Sequence, residues 1–240
     1  MLPLYIILFA AVFSSGFTVS LVTIPKNVLK LLLAFTGSLL FSIAVLDLIP
    51  EVYSSMGKTA GIYILVGFFL QIILEFFSHG IEHGHTHHHG EGKAFVTMML
   101  ISLCIHSLLE GMAVSYHPQN SNTLMDKGLY IGILLHHVPI AIALMVVLTE
   151  VHVQKIKRLI PLAIFAAMSP IGMYLGAHTG FLTTFSNGQF LLNITTGLVT
   201  GILLHISTTI LFESSEDHRF NLIKFITVIF GALLTIFIIL

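Results

Sequence analysis

The chain has 240 residues, 56% of them hydrophobic and only 9% charged, whereas soluble globular domains carry roughly 25% charge, so water is excluded as its main solvent. With 10 basic and 11 acidic residues the net charge is -1, which gives no basis for nucleic acid or another polyanion as partner. The single cysteine, Cys104, sits in an apolar run. A disulfide framework and a thiolate metal cluster are thereby excluded within one chain, and any metal must be met by histidines and carboxylates.

A hydrocarbon core of about 30 Å is crossed by about 20 apolar residues in a helix. Spans of that length occur near 3–21, 28–50, 60–77, 94–116, 128–149, 159–178, 190–212 and 220–240. The expected fold is therefore an all-α membrane protein, an eight-transmembrane-helix bundle forming one compact membrane domain over 1–240. The lipid bilayer is its first partner. The first span follows Met1-Leu2-Pro3-Leu4-Tyr5, which lacks a positive n-region, and no small-residue cleavage pattern follows it. It reads as a retained helix rather than a secretory signal.

The second span contains Thr36-Gly37-Ser38-Leu39-Leu40 and ends in Asp47 and Glu51, acidic groups suited to collecting cations at a helix end. Thr200-Gly201-Ile202-Leu203-Leu204 in the seventh span matches the first of these segments at four of five positions. The two spans run in opposite directions, so a true repeat would be an inverted one, as in secondary transporters. Chance explains so short an echo equally well.

After the third span comes Ser78-His79-Gly80-Ile81-Glu82-His83-Gly84-His85-Thr86-His87-His88-His89-Gly90. A tract this rich in histidine reads as metal binding, with His83, His85 and His87 as candidate ligands. A purification tag would be terminal and unbroken. Lys26, Lys30, Lys93, Lys155, Lys157, Arg158, Arg219 and Lys224 occupy the odd-numbered loops, and only Lys58 and Lys127 the even-numbered ones. Positive loops stay cytoplasmic, which places both termini outside and the His-rich loop at 78–93 in the cytosol.

The fourth span carries His106-Ser107-Leu108-Leu109-Glu110-Gly111. His106 and Glu110, at i and i+4, share a helical face. Ionisable groups at mid-membrane are costly and normally face the bundle interior or a wet route, so the pair is a candidate cation site. His117 lies further out on the same face.

The fifth span carries Leu135-His136-His137-Val138-Pro139. Pro139 cannot donate to the carbonyl of Leu135, and a kink there is expected. Adjacent helical residues point about 100° apart, which favours His136 over His137 as ligand unless the turn is rewound. By a rise of about 1.5 Å per residue, His106 lies about 15 Å and His136 about 12 Å from the outer ends of their spans. Imidazole nitrogen and carboxylate oxygen at one depth suit zinc. His205 in the seventh span lies deeper, about 22 Å from the outer surface, with Glu75 and Glu213 at cytoplasmic helix ends near it.

These motifs resemble the ZIP (Zrt/Irt-like) family of divalent metal transporters over nearly the whole chain. His106 to Gly111 resembles the family's fourth-helix signature, and His136-His137-Val138-Pro139 its fifth-helix one. Leu46-Asp47-Leu48-Ile49-Pro50-Glu51 and the His-rich loop fall where the family has similar features. The resemblance implies import of zinc, or of iron, manganese or cadmium, toward the cytosol through a centre between the fourth and fifth helices. It maps His106, Glu110 and His136 onto metal ligands, and Ser107 and His137 onto positions that often serve a second adjacent metal. The family usually has a carboxylate one turn after the helix-5 histidine. Here that position is Ile140, followed by Ala141, which implies one main site in place of two.

On the residues alone, two other classes stay open: an intramembrane zinc-dependent hydrolase, and a sensor that binds metal through the loop without moving it. The chain has neither His-Glu-x-x-His nor Gly-x-Ser-Gly, so no enzyme is expected. A homodimer is an arrangement left open. Deleting His83 to His89 should leave metal transport measurable and alter chiefly its metal dependence or regulation. Complete loss of flux from a normally folded deletion would instead make the loop part of the obligatory path.

Overall fold

The computed structural model describes residues 2–78, 93–115, 128–182, 188–212 and 222–239. The His-rich candidates His83, His85 and His87, together with His117 and Glu213, lie outside the described residues. Among the described residues the chain is all helical. In order come α1 (Leu2–Thr18), α2 (Lys26–Ile43), a π-helical turn (Ala44–Leu48), α3 (Ile49–Met56), a 3-10 turn (Gly57–Thr59) and α4 (Ala60–Ser78). They are followed by α5 (Lys93–Val114), α6 (Gly128–Glu150), α7 (Lys155–Leu182), α8 (Gly188–Phe212) and α9 (Leu222–Ile239).

Six helical stretches are long and apolar enough to cross a membrane, and α1 is a shorter apolar helix. One of the six is the run Lys26–Ser78, 53 residues from α2 to α4. At about 1.5 Å per residue it is far longer than a bilayer core of about 30 Å. Gly57, with a φ of 58°, is where its direction can change, since the left-handed region admits glycine without a Cβ penalty. The second span was expected over about residues 28–50 from its apolar length. The helix instead continues to Met56: the π turn absorbs the proline, with the Ile49 amide bonding back to the Ala44 carbonyl. Asp47 lies in this turn and Glu51 in the first turn of α3.

The outside of the bundle is apolar. Ile156, Phe237 and Phe76 are 82%, 80% and 76% exposed, while Gln71, His106, Glu110, His136 and Ser207 are fully buried. That inversion of the water-soluble pattern is what a lipid solvent requires. α6 is central and packs against α1, α2, α5, α7 and α9. Its faces are apolar all round, as in a helix enclosed by others, and Ile140, Ala141, Ala143, Leu144 and Met145 are fully buried. By contrast, α9 buries only Gly231 and Thr235 among its residues.

Where water supplies no hydrophobic drive between helices, close backbone approach and interhelical hydrogen bonds hold them. Both are present. A Cβ on Gly111 would strike the Ser169 carbonyl, and one on Gly172 the Leu108 carbonyl, which clamps α5 to α7. Gly67 and Gly201 stand in the same relation to the carbonyls of Leu198 and Ile64 and clamp α4 to α8. Ser102 Oγ donates to the Leu74 carbonyl at 2.6 Å, Tyr130 OH to the Leu4 carbonyl at 2.9 Å, and Thr235 Oγ1 to the Leu39 carbonyl at 3.2 Å.

Replacing Gly201 with valine should therefore lower the thermal unfolding temperature in detergent sharply, because the obstacle is backbone and cannot turn aside. Gly128→Ala, whose new methyl would sit in ordinary contact at 3.7 Å from Ile238, should leave that temperature nearly unchanged. Equal melting of the two variants would contradict the clamp.

Candidate metal centre

The α5–α7 clamp fixes the height of α5 at Gly111, the residue next to Glu110. From this helix His106 and Glu110 project together, with His106 Nε2 3.3 Å from Glu110 Oε2. From the central helix His136 and His137 project toward the same carboxylate. His137 Nε2 lies 2.8 Å from Glu110 Oε2. The ring of His136 is 6.1 Å from that of His106, centre to centre, and the ring of His137 6.3 Å. Each of the four side chains is at most 1% exposed.

His106, Glu110 and His136 each offer a ligand atom within 4.8 Å of the others. Of the two adjacent histidines, His136 is the one whose ring nitrogen converges with His106 and Glu110. α6 stays helical through Pro139, yet the rings of His136 and His137 lie 6.2 Å apart and almost equally far from His106. The two side chains straddle the line toward α5, and their reach makes up for the angle between them.

The electrostatics are unusual for a buried carboxylate. No lysine or arginine is buried among the described residues, so Glu110 is accompanied by imidazoles alone. At 2.8 Å His137 Nε2 is within ion-pair distance of the Glu110 carboxylate, an attraction that is strengthened in a dry site. Ser107, one residue from His106, is buried, and its Oγ has no hydrogen-bond partner among the described residues. Ile140, where a second carboxylate would stand, is fully buried in the apolar core.

Two residues at the centre carried no legible signal. Thr36 of α2 puts its Oγ1 3.5 Å from His136 Nδ1. Phe165 of α7 sets its ring perpendicular to that of His137, at 5.5 Å between centres. Neither belongs to a spacing pattern with the histidines, and only the packing of α2 and α7 against α6 brings them in. His205 does not join the converging donors. It lies on α8 with Nδ1 3.5 Å from Glu75 Oε2 of α4, and Phe68 packs edge-on against its ring at 4.9 Å. Glu75 of α4 and His205 of α8 thus meet across the α4–α8 contact.

The ZIP zinc transporter family profile matches residues 78–239, which covers α5 to α9 and all four side chains of the centre. The zinc transporter ZIP1 of Danio rerio is 25% identical over 231 residues, an alignment spanning 76% of this chain and 74% of that protein. With a match over more than half of its length, together with several apolar helices fit to cross a bilayer, the chain belongs to the ZIP zinc transporter family, a multi-pass membrane protein that transports divalent metal ions and is not an enzyme.

Proposed function

We propose that this protein carries zinc toward the cytosol through a single-ion centre formed by His106, Glu110 and His136. The observation that supports this reading is the convergence of their donor atoms within 4.8 Å, fully buried, from two helices. Around a tetrahedral zinc with bonds of about 2.0–2.2 Å, ligand atoms stand about 3.3–3.6 Å from one another. The three groups would close by about an ångström on an arriving ion, and the fourth position stays open for water or a departing ligand. An incomplete shell suits a transporter, since the ion must bind well enough to enter and weakly enough to leave.

In this reading His137 serves Glu110 rather than the ion: its Nε2, 2.8 Å from Oε2, pairs with the carboxylate and holds it facing the space between His106 and His136. Ser107 borders the centre. His205 with Glu75 provides a further station on the inner side, and His83, His85 and His87 of the loop at 78–93 collect ions in the cytosol. The membrane arrangement that goes with this is eight crossings, with α1 as one and the run Lys26–Ser78 turned at Gly57 into two. The excess of positive residues in the odd-numbered loops supports an orientation with both termini outside. A protease-cleavable tag at the carboxyl terminus of intact cells tests that orientation: protection from external protease would overturn it.

Uptake of radioactive zinc, iron, manganese and cadmium into vesicles holding the purified protein tests the function. Zinc uptake should be abolished by Glu110→Ala and reduced about tenfold or more by His106→Ala or His136→Ala, because each removes a donor from a low-dielectric site. Full uptake by a folded Glu110→Ala protein would remove the centre from the path.

The charge balance sets the number of ions. Glu110 is the one acidic residue that the two signatures contribute, and neutral imidazoles add no negative charge. One dication there already leaves a positive excess, and a second within about 3.5–4 Å would be repelled. Ile140→Glu, one turn beyond His136, should raise the number of ions bound at this level, measured by metal titration of the protein lacking the His-rich loop. Two tightly held ions in the unaltered centre would contradict the single-ion reading.

A further inference from the structure

We infer that Thr36, on a helix outside both histidine signatures, is a positioning residue for transport that holds His136 in the tautomer able to bind the ion. This rests on the reading of His136 as a ligand. Thr36 is 2% exposed, and its hydroxyl lies between two groups. Oγ1 is 3.2 Å from the Leu33 carbonyl, which can only accept, and 3.5 Å from His136 Nδ1.

A hydroxyl has one proton and two lone pairs. With the proton directed to Leu33, the shorter of the two contacts, Oγ1 has a lone pair to offer His136, an arrangement that favours the hydrogen on Nδ1. In a neutral imidazole the other nitrogen, Nε2, is then the unprotonated one and has the lone pair a metal needs. The reverse tautomer would point an N–H at an incoming cation. The hydrogen bond also sets the rotation of the ring, the task an outer partner performs for a ligating histidine. α2 thereby reaches the centre through one hydroxyl.

Zinc uptake by the full chain in vesicles, read as KM and kcat separately, tests this with Thr36→Val, Thr36→Ser and His136→Ala. Valine keeps the volume and removes the hydroxyl. It should raise KM about tenfold, the low end of the effect of losing such an outer partner, and serine should bring KM back to within about twofold of the unaltered protein. If valine leaves KM unchanged while His136→Ala is severely impaired, Thr36 does not position the ligand and the centre stands. Valine and serine impaired alike would show a packing role and also overturn the inference. Unchanged uptake by His136→Ala would show instead that the centre itself is wrongly assigned. Should the valine variant not be recovered folded, Thr36→Ala against Thr36→Ser gives the same comparison, and equal KM values for those two would refute the role.

Discussion

A carboxylate with no strong cation beside it, sealed in the middle of the bundle, is the constraint on which the rest of this structure depends. Glu110 is fully buried, and its near neighbours are the imidazoles of His106 and His137. A buried charge left alone costs several kcal/mol even after the surroundings relax. The imidazoles offset part of that cost without neutralising it. What is left is a site that welcomes positive charge, on helices that are otherwise mostly apolar. The glycine at 111 that lets α5 lie on the Ser169 backbone, and the apolar enclosure of α6, are best understood as the means of holding that carboxylate and its histidines at one level.

Much of this could be read from the residues because lipid simplifies the code. Where every backbone group must be bonded within its own segment, a long apolar stretch is a helix, and α4, α5, α6 and α9 lie close to where hydropathy alone placed them. The i, i+4 spacing of His106 and Glu110 needs nothing but helical geometry to be understood. Apolar length alone did not show that the second span would run on through a π turn, in which the Ile49 amide bonds back to the Ala44 carbonyl, to Met56. A wheel of Cα directions ignores the length of the side chains, which is why it did not show that His137 would reach Glu110.

Other features were out of reach for a different reason. Thr36 and Phe165 stand 100 and 28 residues from the histidines they touch, and neither residue type advertises a role in a metal site. The glycines at helix crossings are similar. Gly172 and Gly176, like Gly197 and Gly201, have the spacing that favours close helix contact, yet the spacing does not say which helix is on the other side. Partner choice among helices is a tertiary property. In an almost uniformly apolar chain, little besides polar side chains and small residues distinguishes one candidate neighbour from another.

The placement of the two ring-bearing residues on the most enclosed helix has a consequence for how occupancy could be sensed. α6 touches α1, α2, α5, α7 and α9 at once, and densely packed interiors pass on small displacements rather than absorbing them. An ion that draws His136 inward by a fraction of an ångström therefore cannot do so privately: the adjustment is shared by five neighbours, three of which reach His136 or His137 through a hydroxyl, a carboxylate or an aromatic face. The arrival of cargo is in that sense news for the whole bundle, delivered mechanically and without any dedicated messenger.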